Sequence, residues 1–336
     1  MASARSCPRH VRCTITTPMR ISLVLLFASA PALAGTPSPA VELPAGKPGV
    51  GFDDLQYSSR LGRVLVPAGR SGNLDLIDPA TGKVATVIGG FSSAKSFDGG
   101  HDFGITSVAD TGSALAVTDR SSDEIVLVDG TKITARHKLA GGPDYVRWVP
   151  ATKELWVTEP DADQIEVFSA ELKPLATIAV KGGPESLAIV GTTAYTHLWD
   201  GATVEIDVKK RAIAATYKNG CAGSRGIAVD EAHGFVFAGC ADGKVTVLSK
   251  GKVIAQLKPV DGMDIIAWSP AKRHLYLAGS TSADMAIVAV AADGSLKLLG
   301  KGAGAKGGHC VTTDDAGHAY VCDPRGGRLL VDADPY

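Results

Sequence analysis

One spacing constrains this chain more than any other property. A short run rich in Val, Leu, Tyr and Phe returns seven times: Val64-Leu65-Val66, Ala114-Leu115-Ala116-Val117, Glu154-Leu155-Trp156-Val157, Ala194-Tyr195-Thr196, Phe235-Val236-Phe237, Leu275-Tyr276-Leu277 and Ala319-Tyr320-Val321. Successive runs begin 50, 40, 40, 41, 40 and 44 residues apart. Each is preceded by a shorter apolar stretch and followed by a Gly/Asp turn, a third run and a fourth. In the first repeat the third and fourth runs flank Asp78-Pro79-Ala80-Thr81-Gly82, which is hairpin-turn chemistry. Glu124 to Asp129, Gln164 to Phe168 and Lys244 to Leu248 are third runs of the same kind. Helical periodicity is absent after the N-terminal segment.

Four short strands in about 40 residues is the period of a propeller blade. The chain is therefore expected to be all-β, a seven-bladed β-propeller with four-stranded antiparallel blades. The seventh repeat stops after Arg328 to Asp332 without a fourth run. Ala40-Val41-Glu42-Leu43-Pro44-Ala45-Gly46 resembles the fourth run Arg136 to Gly141. Residues 40–46 are thus expected to complete the last blade, so that an N-terminal strand closes the ring and hides two sheet edges.

The first 34 residues stand apart. Arg5, Arg9, Arg12 and Arg20 precede an apolar stretch from Ile21 to Ala30, and Ala32-Leu33-Ala34 offers a small-x-small cleavage step. This is the pattern of a secretory signal peptide, too short to span a bilayer. Residues 35–336 then form a single domain, periplasmic or secreted and monomeric, with no membrane span. Removing the leader leaves 30 basic against 35 acidic side chains, a net charge of −5. That balance argues against nucleic acid as a partner.

Four of the six cysteines remain, Cys221, Cys240, Cys310 and Cys322. An even number in an oxidising compartment reads as disulfides, and four cysteines allow three connectivities. Cys310 and Cys322 lie equally far from the centre of the turn Asp314-Asp315-Ala316-Gly317. An antiparallel hairpin therefore sets them opposite each other, within bonding range. Cys221 with Cys240 needs the loop before the strand to fold back.

The repeat resembles that of the YVTN-repeat β-propellers, including the secreted bacterial proteins of the YncE type. Gly72-Asn73-Leu74-Asp75-Leu76-Ile77-Asp78-Pro79-Ala80-Thr81-Gly82-Lys83-Val84 carries the likeness most fully. Val117-Thr118-Asp119 and Val157-Thr158-Glu159 stand where Tyr-Val-Thr-Asn would. The resemblance extends over nearly all of residues 41–336 and implies a binding or scaffold protein rather than an enzyme.

Strand order in a propeller brings the loops leading into each innermost strand to one face of the channel. Those loops read Gly51-Phe52-Asp53-Asp54, Gly100-His101-Asp102, Gly142-Pro143-Asp144, Gly183-Pro184-Glu185, Gly223-Ser224-Arg225, Gly262-Met263-Asp264 and Gly308-His309. Carboxylates crowded at a channel mouth repel one another, and a cation, a basic partner or raised pKa values must relieve them. His101, Asp102, Asp144, Glu185, Arg225, Asp264 and His309 are the expected ligand-binding set. Asp54, Asp102, Asp144 and Asp264 are candidates for holding a divalent cation. Acids at this step also suit hydrogen bonds to amides of the adjacent blade, and both roles stay open. Loops leaving the second strand add Arg70, Arg120, Asp161, His197, Trp199 and Arg325. The extra residues of Gly89 to His101 suit a flap bearing Phe91 and Phe97.

Familiar catalytic and cofactor motifs are absent. Gly302-Ala303-Gly304-Ala305-Lys306-Gly307 matches a dinucleotide fingerprint by letters but leads into a strand-like run, where that fingerprint requires a helix. The expected function is non-catalytic binding of a small ligand, a metal ion or a partner protein at the mouth. The alternative is a lactonase- or lyase-type enzyme at the same mouth, with Glu185 and His309 as bases, Arg225 as anion clamp and the Asp ring holding a divalent cation.

Overall fold

A run such as Leu155 to Val157, apolar without alternation, can satisfy its backbone only between two other strands and its side chains only between two sheets. That is where the structure puts it. The computed structural model describes residues 39–336, which form seven four-stranded sheets, six of them in simple up-and-down order. The leader expected over residues 1–34 lies outside the described residues. Every second strand has the predicted position: Arg63–Ala68, Leu115–Asp119, Glu154–Glu159, Thr193–Leu198, Phe235–Cys240, His274–Gly279 and His318–Asp323. Most of these are buried along their length, whereas fourth strands such as Lys132–Lys138 alternate exposed and half-buried because only one face is covered.

The core lies between blades. Leu65, Leu74 and Ile88 of blade one meet Ile105, Val108, Val117 and Val126 of blade two, and Ala116, Ile125 and Leu127 then meet Leu155, Val157 and Phe168 of blade three. Each such Val, Leu or Ile contributes about 1.5–3 kcal/mol on burial, and no blade could collect this alone. In the first six blades the register between third and fourth strands slips at the same place, for example between Leu76 and Ile77 and between Leu127 and Val128. A slip of this kind strengthens the right-handed twist of the outer strand.

The seventh sheet is completed from the other end of the described chain. Ala40–Glu42 pairs antiparallel with Arg328–Ala333, Val41 opposite Leu329. The strand is shorter than the expected 40–46, but the following residues hold the same junction. Leu43 N–H donates to Gly327 O (3.3 Å), and a Cβ on Gly46 would lie 2.2 Å from Gly327 O. Backbone meets backbone there, so the glycine is required. Arg70 clasps this segment. Its buried guanidinium donates to the carbonyls of Ala45, Lys47 (3.0 Å) and Gly49, and to Ala94 (3.1 Å) in the long loop.

Both expected disulfides form, Cys310–Cys322 across the hairpin register and Cys221–Cys240 through the preceding loop, with Cα separations of 5.6 and 5.2 Å. Ser224 is the residue facing Cys240 in the ladder, so Cys221 reaches its partner only because the preceding loop turns back. Asn219 Oδ1 holds that turn by accepting from Cys221 N–H (3.1 Å). Among the described residues no helix is long and apolar enough to cross a membrane.

Candidate functional site

After the second strand, blades one to three make a single 3-10 turn, Gly69–Ser71, Arg120–Ser122 and Pro160–Ala162. Each is closed by a left-handed residue: Gly72 (φ 69°), Asp123 (φ 47°) or Asp163 (φ 54°). In blades two and three the residue closing the turn is an acid that tethers the next blade. Asp123 Oδ1 accepts from Gly142 N–H (2.9 Å), and Asp163 Oδ1 accepts from Gly182 and Gly183 N–H (2.8 and 3.0 Å). The carboxylates of the lead-in loops meet side chains instead, over a cavity of 470 Å³ at the channel mouth.

Asp53, His101, Asp102, Arg120, Asp144, Glu185, Trp199, Arg225 and Asp264 line that cavity. Arg120 binds Asp144, donates to Pro143 O (3.1 Å) and stands 3.4 Å from Asp102 and 3.9 Å from Asp53. Burial pushes the Asp144 carboxyl well up and the charge on Asp53 adds to this, with Arg120 pulling the other way. Glu185 accepts from the Trp199 indole N–H and pairs with Arg225 at 3.3 Å. Burial and the charge of Asp264 nevertheless push Glu185 up to about 7. His101 Nδ1 lies 3.2 Å from Asp53 Oδ2, and its Nε2 lies 3.9 Å from Asp264 Oδ2. Burial works against a charge on His101, but Asp53 outweighs it and raises the imidazole pKa.

His309 is not on that wall. It lines an adjoining cavity of 380 Å³ together with Phe97, Lys306 and Arg325, and His101 and Asp264 line both. The rings of His101 and His309 are 4.7 Å apart between centroids. One ligand atom each from His101, Asp264 and His309 falls within 4.8 Å of the others.

The expected four-carboxylate cation site is not assembled. Asp54 faces away from the mouth, where its carboxylate pairs with both Arg147 terminal nitrogens (2.5 and 2.9 Å) and accepts from Ser107 Oγ (2.5 Å). It lines a second 470 Å³ cavity further along the channel, with Arg147, Leu187 and Ile266. Asp102 has a side chain 86% exposed at the rim, and Asp144 is engaged by Arg120. Of those four, only Asp264 joins the histidines. Two of the proposed catalytic residues, Glu185 and Arg225, do meet, but as an ion pair. The third, His309, lines the neighbouring cavity.

Three contributors were outside the expected binding set. Asp53, not Asp54, corresponds to Asp144, Glu185 and Asp264, because each lies two residues after its loop glycine. That count was the available signal. Tyr145, stacked on Arg147 at 4.8 Å, separates the two channel cavities, and nothing in its sequence context marks it. Arg120 was visible only as a basic residue in a loop leaving the second strand. His197, expected in another such loop, instead lies within the second strand Thr193–Leu198 and is wholly buried: Thr203 Oγ1 lies 3.0 Å from its Nδ1, and burial lowers its pKa to about 4. It belongs to the blade packing.

No protein-family profile matches the chain, and no curated protein sequence matches it significantly. Solved structures do. A chain of the mitotic checkpoint complex is similar over 97% of this chain and 99% of its own length, at 14% identity and TM-score 0.73. Hydrazine synthase of Kuenenia stuttgartiensis is similar over 85% of this chain and 96% of its own, at 15% identity and TM-score 0.70. The β-propeller domain of Cps50 (Swd1) from Myceliophteria thermophila covers 85% and is itself covered to 98%, at 13% identity and TM-score 0.69. At such identities the likeness is one of architecture, and the architecture is that of a seven-bladed β-propeller.

Proposed function

We propose that the chain is a non-catalytic binding propeller that takes a small charged ligand over the channel mouth. The observation that supports this most is the division of labour among the acids. Asp123 and Asp163 supply the amide tethers, so Asp53, Asp144, Glu185 and Asp264 stand around a cavity with two guanidinium groups and an exposed indole. Buried charges that do not hold the scaffold together represent a cost that ligand binding can offset. A cavity of 470 Å³ suits a small molecule. Trp199, 43% exposed, provides a stacking face beside the Glu185–Arg225 pair.

The resemblance to YVTN-repeat propellers agrees with a binding role. Export to an oxidising compartment is part of the same reading, supported by the basic–apolar leader and the two disulfides. The test is titration of small dicarboxylates, amino acids and polyamines with Trp199 emission as readout. Binding should be weakened at least about tenfold in Arg225→Ala and Glu185→Gln. No emission change with any class, and no effect of either substitution on a ligand found otherwise, would refute it. A hydrolytic reading has one observation in its favour, the Glu185 carboxyl held near 7. Turnover of lactones abolished by Glu185→Gln would establish that instead.

A further inference from the structure

We propose that His101, Asp264 and His309 form a binding site for a divalent first-row transition-metal ion, where His101 and Asp264, which line both mouth cavities, meet His309 of the adjoining one. This deepens the binding reading above and rests on the same convergence of loops. Two imidazoles and a carboxylate are donors of the type preferred by Zn²⁺, Cu²⁺, Ni²⁺ and Fe²⁺, whereas Ca²⁺ and Mg²⁺ favour all-oxygen sets.

The three residues come from loops leading into blades six, two and seven, so no local motif joins them. Their ligand atoms nonetheless lie within 4.8 Å of one another. Metal–ligand bonds of about 2.0–2.2 Å would draw them together by about one ångström. That adjustment is small for side chains on loops. His101 is already oriented as metal-binding histidines are, with Asp53 Oδ2 3.2 Å from its Nδ1 and Nε2 turned towards Asp264. Asp53 is thereby a positioning residue. His309 Nδ1 lies 2.9 Å from Gly307 O and Nε2 lies 3.0 Å from Phe52 O. One of these contacts is exchanged for the metal, and the other then holds the ring.

Three protein donors leave at least one position of a tetrahedral ion for water or a ligand group. His101 and Asp264 face both cavities, so that position is accessible to a molecule in the mouth.

The experiment is calorimetric titration of the purified chain with Zn²⁺, Cu²⁺, Ni²⁺ and Co²⁺, with Ca²⁺ and Mg²⁺ for comparison. One equivalent of transition metal should bind, at least about 100-fold more tightly than Ca²⁺. His101→Ala and His309→Ala should each abolish this. Asp53→Asn should weaken it about 10–100-fold. His233→Ala, in a turn at a distant hairpin, should leave it unchanged. The Co²⁺ adduct of the unaltered chain should show absorption bands of a nitrogen–oxygen site, a readout independent of how the variants fold. Calcium binding as tight as zinc, or zinc binding retained in a folded His101→Ala/His309→Ala double variant, would overturn the site. Small-molecule binding that persists in EDTA while no metal binds would overturn this inference alone. Metal binding without any ligand at Trp199 would overturn the broader reading alone.

Discussion

His101 and His309 bring their rings to 4.7 Å across the mouth above blade one, although their loops lead into blades two and seven. Asp53, from blade one itself, lies 3.2 Å from the first of them, and the Phe52 carbonyl lies 3.0 Å from the second. Two adjacent residues of one loop thus position both histidines. The same loop then turns Asp54 in the opposite direction, to Arg147.

The Asp54–Arg147 pair should be structural. Arg147→Met leaves a carboxylate that is 1% exposed without its cation, and should cost about 3–5 kcal/mol. Asp54→Asn combined with Arg147→Met should recover most of that. Urea unfolding of the single and double variants measures the coupling. A double variant no more stable than Arg147→Met alone would show that the pair is not what Arg147 contributes.

Asp75 should reduce stability at neutral pH. It is fully buried on the third strand of blade one with neither carboxylate oxygen hydrogen-bonded, and burial pushes its pKa from 3.8 to about 7. The folded form therefore holds its proton to higher pH than the unfolded chain. Below about pH 4 both forms are protonated and there is no penalty. Stability is lost as pH rises from there to about 7, and the loss is complete above it. Asp75→Leu should raise neutral-pH stability by roughly 1–3 kcal/mol, and the gain should shrink towards pH 4. Melting temperatures across that window test both the sign and the slope.

Each disulfide should contribute about 3 kcal/mol, since sequence separations of 12 and 19 residues close loops of similar entropy. Replacing either pair by Ala should lower the melting temperature by comparable amounts. A strong reductant should lower it in the native chain by about the two losses combined and leave a variant lacking both pairs unaffected.

The closing strand should also protect an edge. Val41, 3% exposed, packs into the core beside Leu329. Val41→Asp should destabilise by about 3 kcal/mol through a buried charge. It should also promote self-association by freeing the edge of Arg328–Ala333. Scattering during a thermal ramp would show both effects.

How much of this could be read beforehand differs from element to element. The seven buried strands were legible because burial on both faces demands a continuous apolar run, and such runs stand out at a spacing near 40. The Cys310–Cys322 bond was legible because the midpoint of a short hairpin can be counted. The division between Asp53 and Asp54 was not. Neighbouring residues in extended backbone point to opposite sides, so a one-residue difference in where the loop becomes strand decides which carboxylate enters the mouth. Arg70 and Arg120 show the same limit. Each is a basic residue in the same kind of loop, yet one clasps the N-terminal segment and the other binds Asp144.

By itself, then, the sequence determined the periodic features: strand number, blade order, the closing strand and the Cys310–Cys322 pair, all of which depend on local pattern and short counts. Only the tertiary structure decided which charged groups share a cavity. Side chains from blades six, seven, one and two become neighbours through ring closure, and that proximity is a property of the circle, absent from any single repeat.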